Sequence, residues 1–540
     1  MIRKSDLQRI VTEALSMQAS GEVGYETPLA MDSFSFAVLQ HLLEERHGIE
    51  LEPERAVLQG FASVRDIHLH LAENFPADVE APMAARAWWG EDLLGRESEG
   101  APLARIRGRL TRGGLRSGAR ELAGRFRGAG IGPGASVAVY VPPGFTLMQA
   151  LVGLWSVGAQ VILIDARTPP GERERLFALC EPQFVVAAAG PEDGGRGLVE
   201  ESPLELSTRP GGRPADEDIC LVQFTSGSTG VPKVIGRTGR SLRDELVRYA
   251  SLDGMPGRGE RILLLNSLVH TVGLVGGFLH ALSSGAELVF PVSTRIGAVL
   301  ETGREADVHA VFGIPFHFDL LSRASGRPLR SLRVAMSAGE PLPEAAYDRF
   351  LERYGVPVGQ IYGMTETGMV TGDLTGSRSR APWVGRPAGD TVELKSVESE
   401  LYVRLDRSPY LYGGAGRYSD GWLRTYDRCA LDESTGALAI LGRLDSVTTV
   451  GGMKVDLAEI EGVLREHPAI QEAVVVHSGA IEAYVGGAGL PPSDELIRWC
   501  RRNLSPFKVP KVIFTSAALP RNRSGKILRN RDLLRSHAWD

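Results

Sequence analysis

The chain has 540 residues, enough for three to four domains at about 150 residues each. Hydrophobic residues make up 43% of it and charged residues 23%, proportions that exclude bulk disorder and low complexity. The 66 acidic and 60 basic side chains give a formal charge of −6, so the composition offers no basic surface for nucleic acid or an anionic membrane.

Three features predict a cytoplasmic protein. The four cysteines are too widely spaced for a metal site or a compact disulfide framework. The first ten residues lack the apolar core of a signal peptide. The longest apolar run, 262–282, contains Asn266, His270 and His280, so we expect a buried strand, a polar loop and a helix there rather than a bilayer span.

The first 75 residues have the pattern of a small helical domain. A first helix is indicated by apolar residues at the helical period: Leu7, Ile10, Val11, Ala14 and Leu15. A second helix is expected to begin at Ser33 and to stop at Gly48. From 76 to 100 the composition loosens, which predicts a linker.

The remainder of the chain predicts two further domains. From 101 to 442, short apolar strands such as 136–142 and 161–165 alternate with helical segments. This alternation predicts βαβ units and a large α/β domain with a parallel sheet. Residues 446–540 combine a Gly-Gly turn, an acidic helix start and further strand signals, which predict a smaller α+β domain.

The glycine-rich segment 221–236 carries the strongest chemical signal. A strand leads into six small or hydroxylated residues, Thr225 to Gly230, and Lys233 follows. Glycines let backbone N–H groups turn toward an anion, hydroxyls add donors and the lysine adds charge, so the segment suits a triphosphate. Because the chain has only seven lysines, Lys233 is informative. Pro232 excludes a Walker loop, which needs glycine before the lysine.

This segment, TSGSTGVPK, resembles the phosphate loop of the adenylate-forming superfamily of acyl-CoA synthetases, aryl-acid ligases and nonribosomal adenylation domains. The resemblance covers about residues 100–535 and continues, in order, through five more motifs. They are SAGEPL (337–342), QIYGMTETG (360–368), GWLRTYD (421–427), LGRLD (441–445) and LPRNRSGKILR (519–529).

The resemblance implies a nucleotide site assembled from all six motifs. It implies phosphate binding by Thr225, Ser226, Gly227, Ser228, Thr229, Gly230 and Lys233. The adenine would be bound by Ala338, Gly339 and Glu340, with Tyr362 stacked on it. Thr365 and Glu366 would face the phosphates and Mg²⁺, Asp427 and Arg443 the ribose, and Lys526 would be the catalytic lysine. One departure is Tyr426, where the family usually has glycine; its bulk is expected to displace Asp427.

The family performs two half-reactions, adenylation and then thioester formation, by rotating its small domain. The resemblance implies that Asp445 is the hinge of that rotation. Gly451 and Gly452 would admit a pantetheine arm in the second step, with a plain β-turn as the alternative. Such a rotation gates the two steps as a lid does.

The acid pocket is expected at 265–274. Relatives that activate amino acids place an aspartate where this chain has Thr271, so an α-ammonium would be buried without a partner. His270 is typical of ligases for plain organic acids, and His317 is expected to line the pocket. Gly273 would leave room for the substrate, or would serve only helix packing. An aryl or a short-to-medium acyl acid is therefore expected.

Residues 27–51 resemble an acyl carrier protein, whose Asp-Ser dipeptide opens its second helix, and the resemblance implies a four-helix bundle for residues 1–75. Ser33 would carry 4'-phosphopantetheine at a helix N-terminus, where a phosphodiester is stabilised. The alternative is an ordinary N-cap serine. If Ser33 is modified, a phosphopantetheinyl transferase is a partner and the thiol is delivered in cis; a separate carrier would deliver it in trans.

These features predict an ATP- and Mg²⁺-dependent ligase that forms an acyl-AMP and transfers the acyl group to a carrier, its own N-terminal domain or a separate one. The alternative is an acyl-CoA ligase with a vestigial carrier fold, for which CoA supplies the thiol. A third hypothesis, a binding protein that has lost catalysis, is disfavoured because Lys526 and Glu366 are both present.

Overall fold

In the computed structural model the chain divides into two compact units. One consists of Met1–Trp88 with Gly132–Gly134 and Ser156–Gly158, and the other of the remaining residues. The structure describes residues 2, 4–15, 29, 33–51, 63–75, 78–79, 88–168, 170–189, 198–225, 232–376, 380–412, 415–444, 447–450, 453–504, 508–522, 525–537 and 539.

The first unit contains three described helices around an apolar core. They are α1 (Lys4–Leu15), α2 (Ser33–His47) and α3 (Val64–Asn74). All five apolar residues that predicted α1 are buried, and α2 starts and stops as expected, with Gly48 left-handed at φ +67°. Ser63 caps α3, because its hydroxyl accepts the Asp66 backbone N–H. A four-helix, carrier-protein-like bundle was expected; the part of this unit that the structure describes contains three helices, and the bundle stays a prediction.

The second unit begins within the predicted linker. Residues 91–95 form a short helix, α4 (Glu91–Gly95), with Leu93 buried. The Trp89 ring packs edge-on against Trp155 at 5.1 Å, and Arg243 donates to the backbone of Trp89. The C-terminal part of the predicted linker 76–100 therefore packs against the rest of the second unit and is not a free connection.

A six-stranded sheet carries the strands that flank the glycine-rich segment. Its strands are β3 (Ser136–Tyr140), β4 (Gln160–Leu163), β5 (Phe184–Ala188), β6 (Leu204–Thr208), β7 (Ile219–Thr225) and β8 (Lys233–Thr238), in the order β6-β5-β3-β4-β7-β8. The central strands are parallel, and β8 returns antiparallel to β7. Every residue of β4 is buried, as expected for a parallel strand covered on both faces.

A nine-stranded sheet carries the second set of motifs. Its strands are β1 (Pro102–Arg105), β2 (Arg109–Thr111), β9 (Arg261–Leu264), β10 (Glu287–Val289), β11 (Ala310–Gly313), β12 (Val334–Ala338), β13 (Val358–Met364), β14 (Gly368–Asp373) and β15 (Arg386–Pro387), in the order β15-β14-β13-β12-β11-β9-β10-β1-β2. The strands from β1 to β13 through β10, β9, β11 and β12 are parallel.

Helices connect and cover these sheets. They are α5 (Arg112–Gly128), α6 (Phe145–Ser156), α7 (Pro170–Cys180), α8 (Gly239–Ala250), the wide π-helical turn α9 (Val272–Leu279), α10 (His280–Ser284), α11 (Ile296–Glu305), α12 (Pro315–Arg323) and α13 (Glu344–Tyr354). The large α/β region that the alternating pattern predicted is thereby confirmed. Within the described part of the chain, every helix is too short or too polar to cross a bilayer.

A third, antiparallel sheet and a small C-terminal region complete the unit. The third sheet contains β16 (Leu394–Val397), β17 (Glu400–Arg404), β18 (Tyr418–Ser419), β19 (Trp422–Asp432) and β20 (Ala437–Arg443). The C-terminal region contains β21 (Val447–Val450), β22 (Met453–Asp456), α14 (Leu457–Arg465), β23 (Glu472–His477), β24 (Ile481–Gly486), α15 (Ser493–Asn503), β25 (Val512–Ser516) and α16 (Arg531–Arg535). This mixture of elements agrees with the expected small α+β domain.

Candidate active site

The glycine-rich segment connects two paired strands. Thr225 ends β7 and pairs with Lys233 at the start of β8, so the two ends of the segment are held side by side. The residues predicted to cradle phosphates between them, Ser226, Gly227, Ser228, Thr229 and Gly230, lie outside the described residues. The hairpin therefore fixes where the segment starts and ends.

The free edge of β8 brings Tyr410 to this hairpin. Ile235 forms a β-bridge with Tyr410, and the Gly236 backbone N–H donates to the Pro409 carbonyl at 2.8 Å. The Lys233 ammonium lies 5.9 Å from the centroid of the Tyr410 ring. No motif predicted Tyr410, because a strand edge pairing over more than 170 residues leaves no local pattern.

Glu366 lies in the turn between β13 and β14 and is 6% exposed. Its Oε1 accepts a hydrogen bond from the Tyr410 hydroxyl at 3.2 Å and lies 3.5 Å from Arg417 Nη1. Tyr410 thus connects the carboxylate of Glu366 to the strand that follows the glycine-rich segment.

The surroundings of Glu366 fit a magnesium ion carried by a nucleotide. Both side-chain contacts engage Oε1, and among the described residues no group donates to Oε2. The described residues also contain no cluster of three His, Cys, Asp or Glu side chains suited to a metal. Mg²⁺ bound to a nucleotide typically takes one or two carboxylates together with phosphate oxygens. A single buried carboxylate with one open oxygen matches that requirement.

Tyr362 and Asp427 meet at the other end of the site. The Tyr362 hydroxyl donates to Asp427 Oδ2 at 2.5 Å, and Arg443 Nη1 lies 3.4 Å from Oδ1. Burial raises the pKa of Tyr362 well above its usual value, and the adjacent Asp427 carboxylate adds to the effect. The three side chains assigned to adenine and ribose are therefore contiguous.

Tyr426 adopts the backbone conformation that glycine favours, with φ +61°. The backbone N–H of Asp427 donates to Thr425 Oγ1 at 3.0 Å, and the carboxylate stays with Tyr362. The structure thus has Asp427 in contact with Tyr362 beside a left-handed Tyr426, and the expected displacement of Asp427 stays a prediction.

The C-terminal lysine lies against the adenine segment. A Cβ placed on Gly339 would lie 3.2 Å from Lys526 Cε, and Gly339 has φ +95°. Next to it, the carboxyl of Glu340 accepts a hydrogen bond from the Ile527 backbone N–H. Burial raises the pKa of Glu340, while Lys526 opposes the shift. Gly339, after Ala338 at the end of β12, gives the lysine room to approach.

His270 lies where the acid pocket was expected. Its Nε2 is buried and has no hydrogen-bond partner among the residues that the structure describes. Burial lowers the pKa of His270 to about 4; Asp165 opposes the shift, and Lys526 and Arg167 add to it. A neutral imidazole with an unpaired nitrogen can bind an uncharged or anionic polar group. No motif predicted Asp165 and Arg167, which follow β4.

Thr271 and His317, which were also expected in the acid pocket, are both hydrogen-bonded to neighbouring residues. The Thr271 hydroxyl donates to Gln223 Oε1 at 3.1 Å, so it is held by β7. His317 Nδ1 accepts the Ile314 backbone N–H at 3.2 Å and caps α12, while burial lowers its pKa to about 4 with a further effect from Arg521. The ring is thus fixed in a neutral form as a helix cap.

Gly273 serves packing rather than space for a substrate. A Cβ on Gly273 would overlap the carbonyl oxygen of Ser267. Gly273 was expected to leave room for the substrate or to serve helix packing. The close approach of the start of α9 to the preceding loop favours helix packing.

Several predicted residues lie outside what the structure describes. They are the hinge residue Asp445 and the two glycines of the thiol tunnel, Gly451 and Gly452. The backbone of Ser33 opens α2, and its side chain is not described.

Family models match both parts of the second unit. A model described as AMP-binding enzyme matches residues 97–405, more than half of the chain. The chain belongs to the AMP-binding enzyme family. A second model, AMP-binding enzyme C-terminal domain, matches residues 459–526 and ends at the lysine that contacts Gly339.

Curated relatives in this family are similar over most of the chain. A sulfoacetate–CoA ligase of Cupriavidus necator is 27% identical over 466 residues, covering 78% of this chain and 91% of the relative. A 4-chlorobenzoate–CoA ligase of Arthrobacter is 29% identical over 364 residues, covering 61% and 68% of the two chains.

A solved structure agrees with the fold. The o-succinylbenzoate CoA synthetase of Bacillus subtilis in complex with AMP aligns with a TM-score of 0.69 at 22% identity, covering 83% of this chain and 98% of that one. At this identity the similarity shows the fold of the AMP-binding enzyme, and the residue roles depend on the geometry described above.

Proposed function

We propose that this AMP-binding enzyme uses ATP to activate a carboxylic acid as acyl-AMP and then transfers the acyl group to a thiol. The observation that carries the proposal is the position of Lys526, a C-terminal lysine placed against Gly339 and close enough to lower the pKa of His270. Residues proposed to bind the nucleotide and residues proposed to bind the acid therefore lie near the same ammonium group, that of Lys526.

The reaction must bring a carboxylate against the α-phosphate of ATP although both are negative. Lys526 would stabilise the charge that develops between them, as a preorganised donor does in an oxyanion hole. Lys233 and the glycine-rich segment would bind the phosphates, and Tyr362 and Asp427 the nucleoside. Glu366 would hold Mg²⁺, which supplies Lewis-acid neutralisation of the phosphates.

The pocket residues favour an acid without an α-ammonium group. Thr271 stands where an aspartate would pair with an ammonium, and its hydroxyl is already bonded to Gln223. His270 is neutral near pH 7 because burial lowers its pKa to about 4. An aryl or a short-to-medium acyl acid fits these groups, and a free amino acid would leave a buried charge unpaired.

Two thiols are candidates. The Ser33 position at the start of α2 supports a phosphopantetheine arm on the chain's own N-terminal unit. The names of the relatives, which are CoA ligases for sulfoacetate and 4-chlorobenzoate, support CoA instead. Incubation with a phosphopantetheinyl transferase and CoA, followed by intact-mass measurement, separates them. A mass gain absent from the Ser33→Ala variant supports the carrier; no gain supports CoA.

Acid-dependent exchange of labelled pyrophosphate into ATP tests the activation step across a panel of aryl, alkyl and amino acids. We expect exchange with aryl or alkyl acids and none with amino acids. Lys526→Ala should lower the exchange rate by at least about 10²–10³, with ATP binding largely kept. Lys511→Ala, which alters an exposed lysine, is the control and should leave exchange unchanged. Equal rates for wild type and Lys526→Ala would refute the assignment.

A further inference from the structure

Three ionic side chains are buried beneath the turn that carries Thr365 and Glu366. Arg237, on β8, is 3% exposed; Glu245 and Arg248, on α8, are 0% and 8% exposed. No motif predicted them, and none contacts the groups proposed to bind nucleotide except through the turn backbone. Burying several charges costs much free energy unless they are well paired, so the arrangement calls for a specific role.

Each of the three side chains holds the turn or its neighbours. Arg237 Nη2 donates to Glu245 Oε2 at 2.8 Å, while its Nη1 lies 3.5 Å from the Thr365 carbonyl oxygen. Glu245 Oε1 accepts the Met369 backbone N–H at 3.0 Å. Arg248 Nη2 donates to the carbonyl oxygen of the residue after Glu366 at 3.2 Å. The turn is thus held on both sides of Glu366.

The turn is shaped to receive Glu245. Gly368 follows it with φ +67°, and a Cβ there would overlap the Glu245 carboxylate. Glycine is therefore required both by the left-handed backbone and by the close approach of the carboxylate. This explains the glycine that ends the Thr-Glu-Thr-Gly sequence.

The three side chains also connect two sheets. Arg237 belongs to β8, which begins at Lys233 in the six-stranded sheet, whereas the turn joins β13 and β14 of the nine-stranded sheet. A rigid connection between them fixes the distance from the phosphate-binding hairpin to Glu366. Apolar side chains would pack the gap as stably but would leave the turn backbone without fixed partners.

We propose that Arg237, Glu245 and Arg248 are positioning residues that hold Thr365 and Glu366 in register with the phosphate-binding hairpin. The inference rests on the proposed function, since the register matters for binding magnesium and triphosphate together. Removing the partners that orient a metal ligand typically costs about 10–100-fold in metal affinity or activity.

The Glu245→Gln variant tests this at nearly constant volume. We expect the Mg²⁺ concentration for half-maximal pyrophosphate exchange to rise about 10–100-fold. The matched control is Glu287→Gln, another buried glutamate, paired with Arg105 and Arg109 in the nine-stranded sheet. The control should lower the thermal midpoint with no change in Mg²⁺ dependence. An unchanged Mg²⁺ dependence in Glu245→Gln would overturn the proposal.

A readout without activity completes the experiment. Hydrogen exchange measured by mass spectrometry should show faster exchange in a peptide covering 364–373 for Glu245→Gln, because the Met369 amide loses a charged acceptor. Unchanged protection of this peptide would also overturn the inference. If the wild type shows no pyrophosphate exchange with any acid of the panel, that result refutes the proposed function alone, because the protection measurement does not depend on activity.

A double variant separates positioning from stability. Arg237→Met combined with Glu245→Gln leaves neither charge of the pair buried alone, so the thermal midpoint should recover toward wild type. The raised Mg²⁺ requirement should persist, because the Met side chain has no hydrogen-bond donor for the Thr365 carbonyl oxygen. Recovery of both properties would mean that the pair serves stability alone.

Discussion

Tyr426 stands where the sequence comparison led us to expect glycine, next to an Asp427 that is hydrogen-bonded to Tyr362. The backbone stays left-handed, which costs a non-glycine residue about 1–2 kcal/mol. The ring lies between two guanidinium groups, with Arg417 at 4.9 Å and Arg424 at 5.1 Å from its centroid. Each such contact contributes about 0.5–1 kcal/mol, so the strain is offset by the aromatic ring.

Two substitutions of Tyr426 separate these effects. Tyr426→Ala keeps the strained backbone and loses both cation–π contacts, so it should destabilise the protein by about 1–2 kcal/mol. Tyr426→Gly loses the same contacts and removes the strain, and should remain close to wild type. Thermal unfolding midpoints check the order, glycine above alanine. Equal midpoints for the two variants would mean that the left-handed backbone carries no cost here.

The α9 turn shows how an element can depend on glycine without any local sequence rule. The apolar run 262–282, which contains it, was expected to form a strand, a polar loop and a helix, and β9, the loop, α9 and α10 confirm that. Its glycines approach other elements closely: a Cβ on Gly276 would lie 2.6 Å from the Tyr249 ring, and one on Gly277 2.7 Å from Leu264. Side chains at these two positions would prevent α9 from packing this closely against Tyr249 and Leu264.

Gly276→Ala should therefore destabilise the large unit by about 1–3 kcal/mol, because the buried Tyr249 cannot move aside. The control is Gly297→Ala in α11, where a Cβ meets nothing within 4 Å. That change should stabilise the protein by about 0.4–1 kcal/mol, because alanine lowers the conformational entropy of the unfolded chain. Opposite shifts of the thermal midpoint are expected. A neutral Gly276→Ala would contradict the packing role.

At the scale of the whole molecule, side chains of the C-terminal region contact the large α/β region. Arg428 Nη1 lies 3.0 Å from Asp456 Oδ2, and the Arg521 guanidinium lies 4.7 Å from the centroid of the Phe316 ring. These contacts accompany the position of Lys526 at Gly339. If the small domain rotates as the resemblance implies, we expect these contacts in the adenylation step and their loss before transfer.

Arg428→Ala should slow adenylation while leaving acyl transfer from supplied acyl-AMP unchanged. The Arg428–Asp456 pair is partly exposed, so its loss should cost at most about 1 kcal/mol, or up to about fivefold in rate. The two half-reactions are measured separately. Arg380→Ala breaks a comparable pair with Asp348 inside the large region and serves as the control. An equal slowing of both steps would exclude a contact specific to adenylation.

The sequence by itself determined the parts that depend on local order. The period of α1, the stop of α2 at Gly48 and the alternation of strands and helices follow from neighbouring residues. Lys526 was predicted from the resemblance of the motif LPRNRSGKILR, and the structure places it beside Gly339.

Only the tertiary structure decided which distant side chains meet. Tyr410 contacts Glu366 because an isolated β-bridge to Ile235 holds it at the edge of β8, and Glu245 supports the same turn from α8. The role of Gly273 also depended on the loop packed against it. Such contacts are set by how elements pack, and residues that meet only through packing leave no spacing or period in the chain that could predict them.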